Sequence, residues 1–66
     1  MGYVELASAV AQIINKKVPG RREAASRELY QLNELLGQAL KENEDTLAAQ
    51  IRKRKREVRN AFPDIE

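Results

Sequence analysis

Residues 22–43 read REAASRELYQLNELLGQALKEN and decide the fold. Their apolar side chains recur at alternating steps of three and four: Ala25, Leu29, Leu32, Leu36 and Ala39, flanked by Leu35 and Leu40. On a helix this spacing makes one broad apolar stripe, which has to be buried against another element. The stretch therefore predicts the central helix of an all-α protein.

The preceding segment predicts another amphipathic helix, over residues 3–17. The apolar side chains again follow steps of three and four: Tyr3, Leu6, Val10 and Ile13. Pro19-Gly20 then interrupts the pattern and is typical of a type II turn, because Gly accepts the positive φ that this turn requires. Such a short connection predicts an antiparallel helical hairpin.

The last third of the chain predicts a basic helix over residues 44–61 with a thin apolar line: Leu47, Ile51, Val58 and Phe62. Arg54 or Lys55 stands where that line should contain another apolar residue. We expect Asn43 to cap this third helix. Because no Gly or Pro forces a break, one continuous arm over residues 22–61 is the alternative.

The predicted fold class is therefore all-α: an antiparallel helical hairpin plus a basic third helix, in a single domain over residues 1–62. Residues 63–66 are expected to be a frayed tail, because Pro63 ends the helical pattern. A chain of 66 residues buries only about 60% of its unfolded surface. It also has no cysteine for disulfides, so a partner subunit is the remaining stabiliser.

We accordingly expect a homo-oligomer, with a dimer favoured over larger assemblies. The stripe of helix 2 is too broad for helix 1 alone, so either helix 3 or a second copy must cover the remainder. The candidate protein interface lies on helices 1 and 2 and comprises Tyr3, Leu6, Val10, Ile13, Leu29, Leu32, Leu36 and Leu40.

Two basic clusters are candidate binding sites. The larger is a run of six cations near the C-terminus, which suits nucleic-acid phosphates or an acidic partner: Arg52, Lys53, Arg54, Lys55, Arg56 and Arg59. A solvated helical face is the alternative. The smaller cluster comprises Lys16, Lys17, Arg21 and Arg22. It could hold an anion at the first amides of helix 2, or simply complement the helix 1 dipole.

The composition favours neither catalysis nor metal binding. The chain has no His and no Cys, and its glutamates are interpreted as lone surface acids: Glu5, Glu23, Glu28, Glu34 and Glu42. We therefore predict a non-enzyme that needs no cofactor. No apolar run approaches the ~18 residues of a membrane span, and the N-terminus lacks a signal-peptide pattern. These features predict a cytoplasmic protein that does not enter the membrane.

The resulting functional hypothesis is a small helical interaction module, a regulator or assembly factor that acts by binding a protein. Surplus apolar helical surface and the lack of catalytic motifs support it. The alternative is a small nucleic-acid-binding protein that contacts the phosphate backbone through residues 52–59.

Overall fold

A computed structural model describes residues 2–65, and these residues form three helices and no strand. The helices are α1 (Tyr3–Ile14), α2 (Arg22–Lys41) and α3 (Asp45–Ala61). Each helix contacts the other two, and α2 and α3 share the most extensive contact. The all-helical fold class is thereby confirmed. Met1 of the predicted domain and Glu66 of the predicted tail lie outside the described residues.

The core draws on all three helices. Its buried apolar side chains are Leu6 and Val10 of α1; Ala25, Leu29, Leu32 and Ala39 of α2; Leu47, Ala48, Ile51 and Val58 of α3; and Ile65. Half-buried side chains, Leu36 and Phe62 among them, pack around this set. Within this one chain α3 covers much of the broad stripe of α2 that α1 leaves open.

A turn over residues 42–44 separates α2 from α3. Asn43 has a φ of 58°, and its N–H donates to the carbonyl of Leu40 at 3.2 Å. The N–H of Glu44 donates to the carbonyl of Ala39 at 2.8 Å. These two bonds form a Schellman motif, whose left-handed residue is usually Gly and sometimes Asn. The prediction that Asn43 caps α3 is therefore wrong: Asn43 ends α2.

The connection between α1 and α2 also differs from the prediction. The first helix ends at Ile14, three residues before the predicted end, and residues 15–21 form an irregular connection. No described glycine has a positive φ, so Gly20 does not occupy the position that a type II turn requires. The longer connection leaves the carbonyls of Lys16 and Lys17 outside any helix. A side chain of α3 donates hydrogen bonds to both carbonyls.

The residues after α3 lie against the bundle. Ile65 is buried with the core, and its N–H donates to the carbonyl of Phe62 at 3.2 Å. Asp64 accepts a hydrogen bond from Arg22 at the start of α2. Residues 63–65, the described part of the predicted frayed tail, thus pack against the bundle. They do so because Ile65 contributes an apolar side chain to the core.

Candidate anion-binding surface

The inward side of α3 carries one charged residue, Arg54. Ile51 and Val58 precede and follow it at steps of three and four, so all three side chains point to the same side of the helix. Arg54 is only 3% exposed and is the one buried charged residue among those described. It occupies the position where the apolar line of the sequence lacks an apolar residue.

Four hydrogen bonds hold the guanidinium of Arg54. Nε donates to Glu28 Oε2 at 2.7 Å, and Nη2 donates to Glu28 Oε1 at 3.1 Å. Nη1 donates to the carbonyl of Lys16 at 2.9 Å, and Nη2 also reaches the carbonyl of Lys17 at 3.2 Å. The two-point pairing with a carboxylate matches the planar geometry of guanidinium. Arg54 thus joins α3 to α2 and to the connection after α1.

Glu28 is the partner that the sequence did not reveal. Its side chain is 11% exposed, so the interpretation of Glu28 as a lone surface acid is wrong. A signal was present, because Glu28 stands three residues after Ala25 and four before Leu32, at the edge of the α2 stripe. A carboxylate there and an arginine in the apolar line of α3 together indicate a buried pair.

The outward side of α3 carries the remaining cations of the run. Arg52, Lys53, Arg56 and Arg59 are exposed, and Lys55 is half-buried. Four of them are neighbours at helical steps of three and four, and we name this set the basic ridge: Arg52, Lys55, Arg56 and Arg59. No acidic residue stands three or four positions from any member of the ridge. No ion pair within residues 2–65 includes one of them.

Mutual repulsion is evident within the ridge. The pKa of Lys55 is lowered from its ordinary value, first by partial burial and then by the positive charges of Arg59 and Arg52. Partial burial and like charges both disfavour a protonated amine. The ridge is therefore a concentrated patch of positive charge that an anion would stabilise.

Lys53 belongs to a different surface from the ridge. It lines a cavity beside α1 together with Asn15 and Glu57, and Glu57 stands four residues after it on the same helix. Opposite charges at this spacing attract one another on a helix surface. The basic run of the sequence therefore divides into three parts: the buried Arg54, Lys53 beside Glu57, and the ridge.

The residues of the smaller basic cluster lie in different surroundings. Arg22 pairs with Asp64, and hydrogen bonding from Arg22 holds the pKa of that carboxyl below its usual range. The side chains of Lys17 and Arg21 are exposed, whereas Lys16 lines a groove between α1 and α2. Arg22, at the start of α2, is thus paired with the carboxylate of Asp64 from the same chain.

The candidate interface residues fall into three groups by exposure. Leu6, Val10, Leu29 and Leu32 are fully buried in the core. Ile13 and Leu36 are half-buried. Of the eight, only Tyr3 and Leu40 are exposed, at 57% and 49%. Most of this apolar set therefore packs inside the chain and is not available to a partner in this conformation.

A groove of about 430 Å³ lies between α1 and α2. Ile13, Lys16 and Leu35 line it, and Tyr30 stands at its edge, 68% exposed. A hydrogen bond to Glu34, together with the negative charge of that carboxylate, raises the pKa of Tyr30. The groove is small and mixed in character, and Tyr30 is its one aromatic side chain.

Residues 2–65 contain no group of three or more acidic, His or Cys side chains arranged to hold a metal ion. In the same part of the chain, no helix has the length and apolar character needed to cross a membrane. No protein-family model, curated protein or solved structure matches the chain.

Proposed function

We propose that the chain is a small non-enzymatic interaction module, a regulator or assembly factor that binds an anionic partner through the basic ridge. One observation carries the proposal. Arg54 pairs with the carboxylate of Glu28, while the four ridge cations have no acidic residue three or four positions away on their helix. A surface of unneutralised cations is attractive to anions and repels itself.

The apolar surfaces support this choice of site by elimination. Binding through the stripes of α1 and α2 would require side chains such as Leu29 and Leu32, which are fully buried. Opening the bundle to expose them would cost the burial of the core, about 1.5–3 kcal/mol for each large side chain. The ridge needs no such rearrangement, because it already lies at the surface.

Retention on immobilised heparin, a sulfated polyanion, tests the proposal without knowledge of the partner. The ridge variant is Arg52→Gln with Arg59→Gln. The matched control is Arg27→Gln with Lys41→Gln, two exposed cations outside both basic clusters. Both variants remove two positive charges, but from different places on the bundle.

We expect the native chain and the control variant to elute at similar salt concentrations, and the ridge variant to elute at a clearly lower one. Equal shifts for both variants would mean that retention follows net charge, and the proposal would fail. Arg54 is left unchanged in this test because its loss would disturb the fold. Far-ultraviolet circular dichroism checks that all three proteins remain helical.

We also propose that the chain forms a homodimer, and that α1 and α2 within it form an antiparallel hairpin. Its support is three exposed apolar side chains: Tyr3 and Val4 begin α1, and Leu40 lies in the last turn of α2. Tyr3 lies beside residues 43–47, as an antiparallel pair requires. Light scattering at micromolar concentration tests this candidate. A dimer that Val4→Glu converts to a monomer would support it, and a monomeric native chain would contradict it.

A further inference from the structure

We infer that the partner of the basic ridge is a nucleic-acid duplex, bound through its phosphate backbone without reading of base sequence. The inference rests on the proposed function, because it names the partner of the same surface. Three features of α3 support it: the lack of apolar anchors, the linear order of the cations and the lack of aromatic side chains that stack on bases.

The surroundings of the ridge do not suit a protein partner. Protein interfaces gain most of their affinity from a few residues, chiefly aromatics and arginine, that pack in a desolvated centre. The large apolar side chains exposed within residues 2–65 are Tyr3, Val4, Tyr30 and Leu40, and none is on α3. A phosphate backbone requires only cations and donors, which is what the ridge offers.

The cations of the ridge form a line along the helix axis. Arg52 and Arg59 are seven residues apart, which corresponds to about 10 Å along an α-helix. Lys55 and Arg56 lie between them. A duplex carries about one negative charge per 1.7 Å of its axis, so a line of this length meets several phosphates at any position along it. Binding therefore needs no particular register or sequence.

The composition of the ridge favours a duplex over a single strand. Single-strand binding gains much of its energy from bases stacked on aromatic side chains, and α3 contains no aromatic residue. Arginine is the commonest reader of guanine edges, so comparison of two duplexes of unrelated sequence tests whether the ridge reads bases. A double strand presents twice the charge per unit length, and charge is what this surface recognises.

The experiment measures binding of labelled duplexes by fluorescence anisotropy between about 50 and 200 mM salt, the range over which such contacts weaken. Two duplexes of unrelated sequence, one single strand of equal length and a polyglutamate peptide are the probes. Four phosphate contacts give a slope of log K against log salt of about −3.6, or about a 150-fold loss over this range. The ridge variant should have a slope nearer about −1.8, and the control variant should match the native chain.

Similar affinity for both duplexes and weaker binding of the single strand, with the ridge variant impaired, support the inference. Equal or tighter binding of the single strand overturns the duplex assignment. Binding of polyglutamate but of no nucleic acid, lost in the ridge variant, overturns the inference and leaves the proposed function standing. If none of the probes binds at the lowest salt, both fail.

Discussion

Arg54 and Arg56 are two residues apart in one basic run, yet they lie in opposite environments. Arg54 is 3% exposed and bound to Glu28 and to two peptide carbonyls, whereas Arg56 is exposed and belongs to the ridge. Two residues on a helix correspond to a rotation of about 200°. A basic run on a helix therefore has to be divided by face before any function is assigned to it.

The two faces follow different energetics. A buried guanidinium loses its hydration, and the bonds to Glu28 and the carbonyls of Lys16 and Lys17 have to compensate for that loss. The ridge cations keep most of their hydration and repel one another only weakly. We therefore expect substitutions on the inner face to change the free energy of unfolding and those on the outer face to change binding.

The largest expected effect is that of Arg54→Ala. It leaves the carboxylate of Glu28 in a low-exposure site without its partner, and breaking a buried pair in this way costs about 3–5 kcal/mol. In a chain of this size such a loss is a large fraction of the total stability. Urea denaturation followed by circular dichroism measures it, with Arg56→Ala as the matched exposed control, expected within about 0.5 kcal/mol of the native chain.

A double variant, Arg54→Met with Glu28→Met, separates pairing from packing. Replacing both partners with apolar side chains removes the unpaired charge, so we expect it to recover much of the stability lost in Arg54→Ala. The carbonyls of Lys16 and Lys17 would still lose their donor. If Arg54→Ala costs no more than Arg56→Ala, the inner and outer faces do not differ as described.

Much of this arrangement could be predicted from the sequence, and the reasons for the rest are physical. Apolar spacing is sufficient to place α1, α2 and α3, and the gap at Arg54 in the apolar line is visible as well. The pairing of Arg54 with Glu28 is less accessible, because it joins residues 26 positions apart through a turn whose geometry depends on Asn43. The cations of the ridge can be identified only once Arg54 is known to point inward.

The next largest effect concerns the turn that brings Arg54 back towards Glu28. Asn43→Ala places a residue with poor left-handed tolerance at a φ of 58°, which should cost about 1 kcal/mol. Asn43→Gly should be neutral or stabilising, since Gly is the usual residue at this position of a Schellman motif. Denaturation midpoints of both variants test this. Equal losses in both would show that the Asn43 side chain, rather than its φ, matters.

A smaller effect, of opposite sign, is expected on the outer face. Lys55→Gln removes the repulsion from Arg52 and Arg59 that contributes to the lowered pKa of Lys55. Because that pKa is lowered on folding, the protonated amine destabilises the fold at neutral pH, and this penalty is relieved only as pH rises through the folded-state value. Neutralisation should therefore stabilise by about 0.2–0.5 kcal/mol at low salt and by less at high salt. Destabilisation would indicate that Lys55 packs as a structural residue.

The smallest effect is expected at Arg22 and Asp64, the exposed counterpart of the buried pair. The lowered pKa of Asp64 means that this pair stabilises the fold above the usual range of an aspartate, and that the contribution is lost as pH falls through the folded-state value. Asp64→Asn should thus lower the melting temperature slightly at neutral pH and not at all at strongly acidic pH. Since both side chains are more than half exposed, added salt should weaken the effect, whereas the cost of Arg54→Ala should persist. A difference between Asp64→Asn and the native chain that survives both acid and high salt would mean that Asp64 contributes through packing of the tail around Ile65. Solvent exposure would then not explain the contrast between the exposed pair and the buried one.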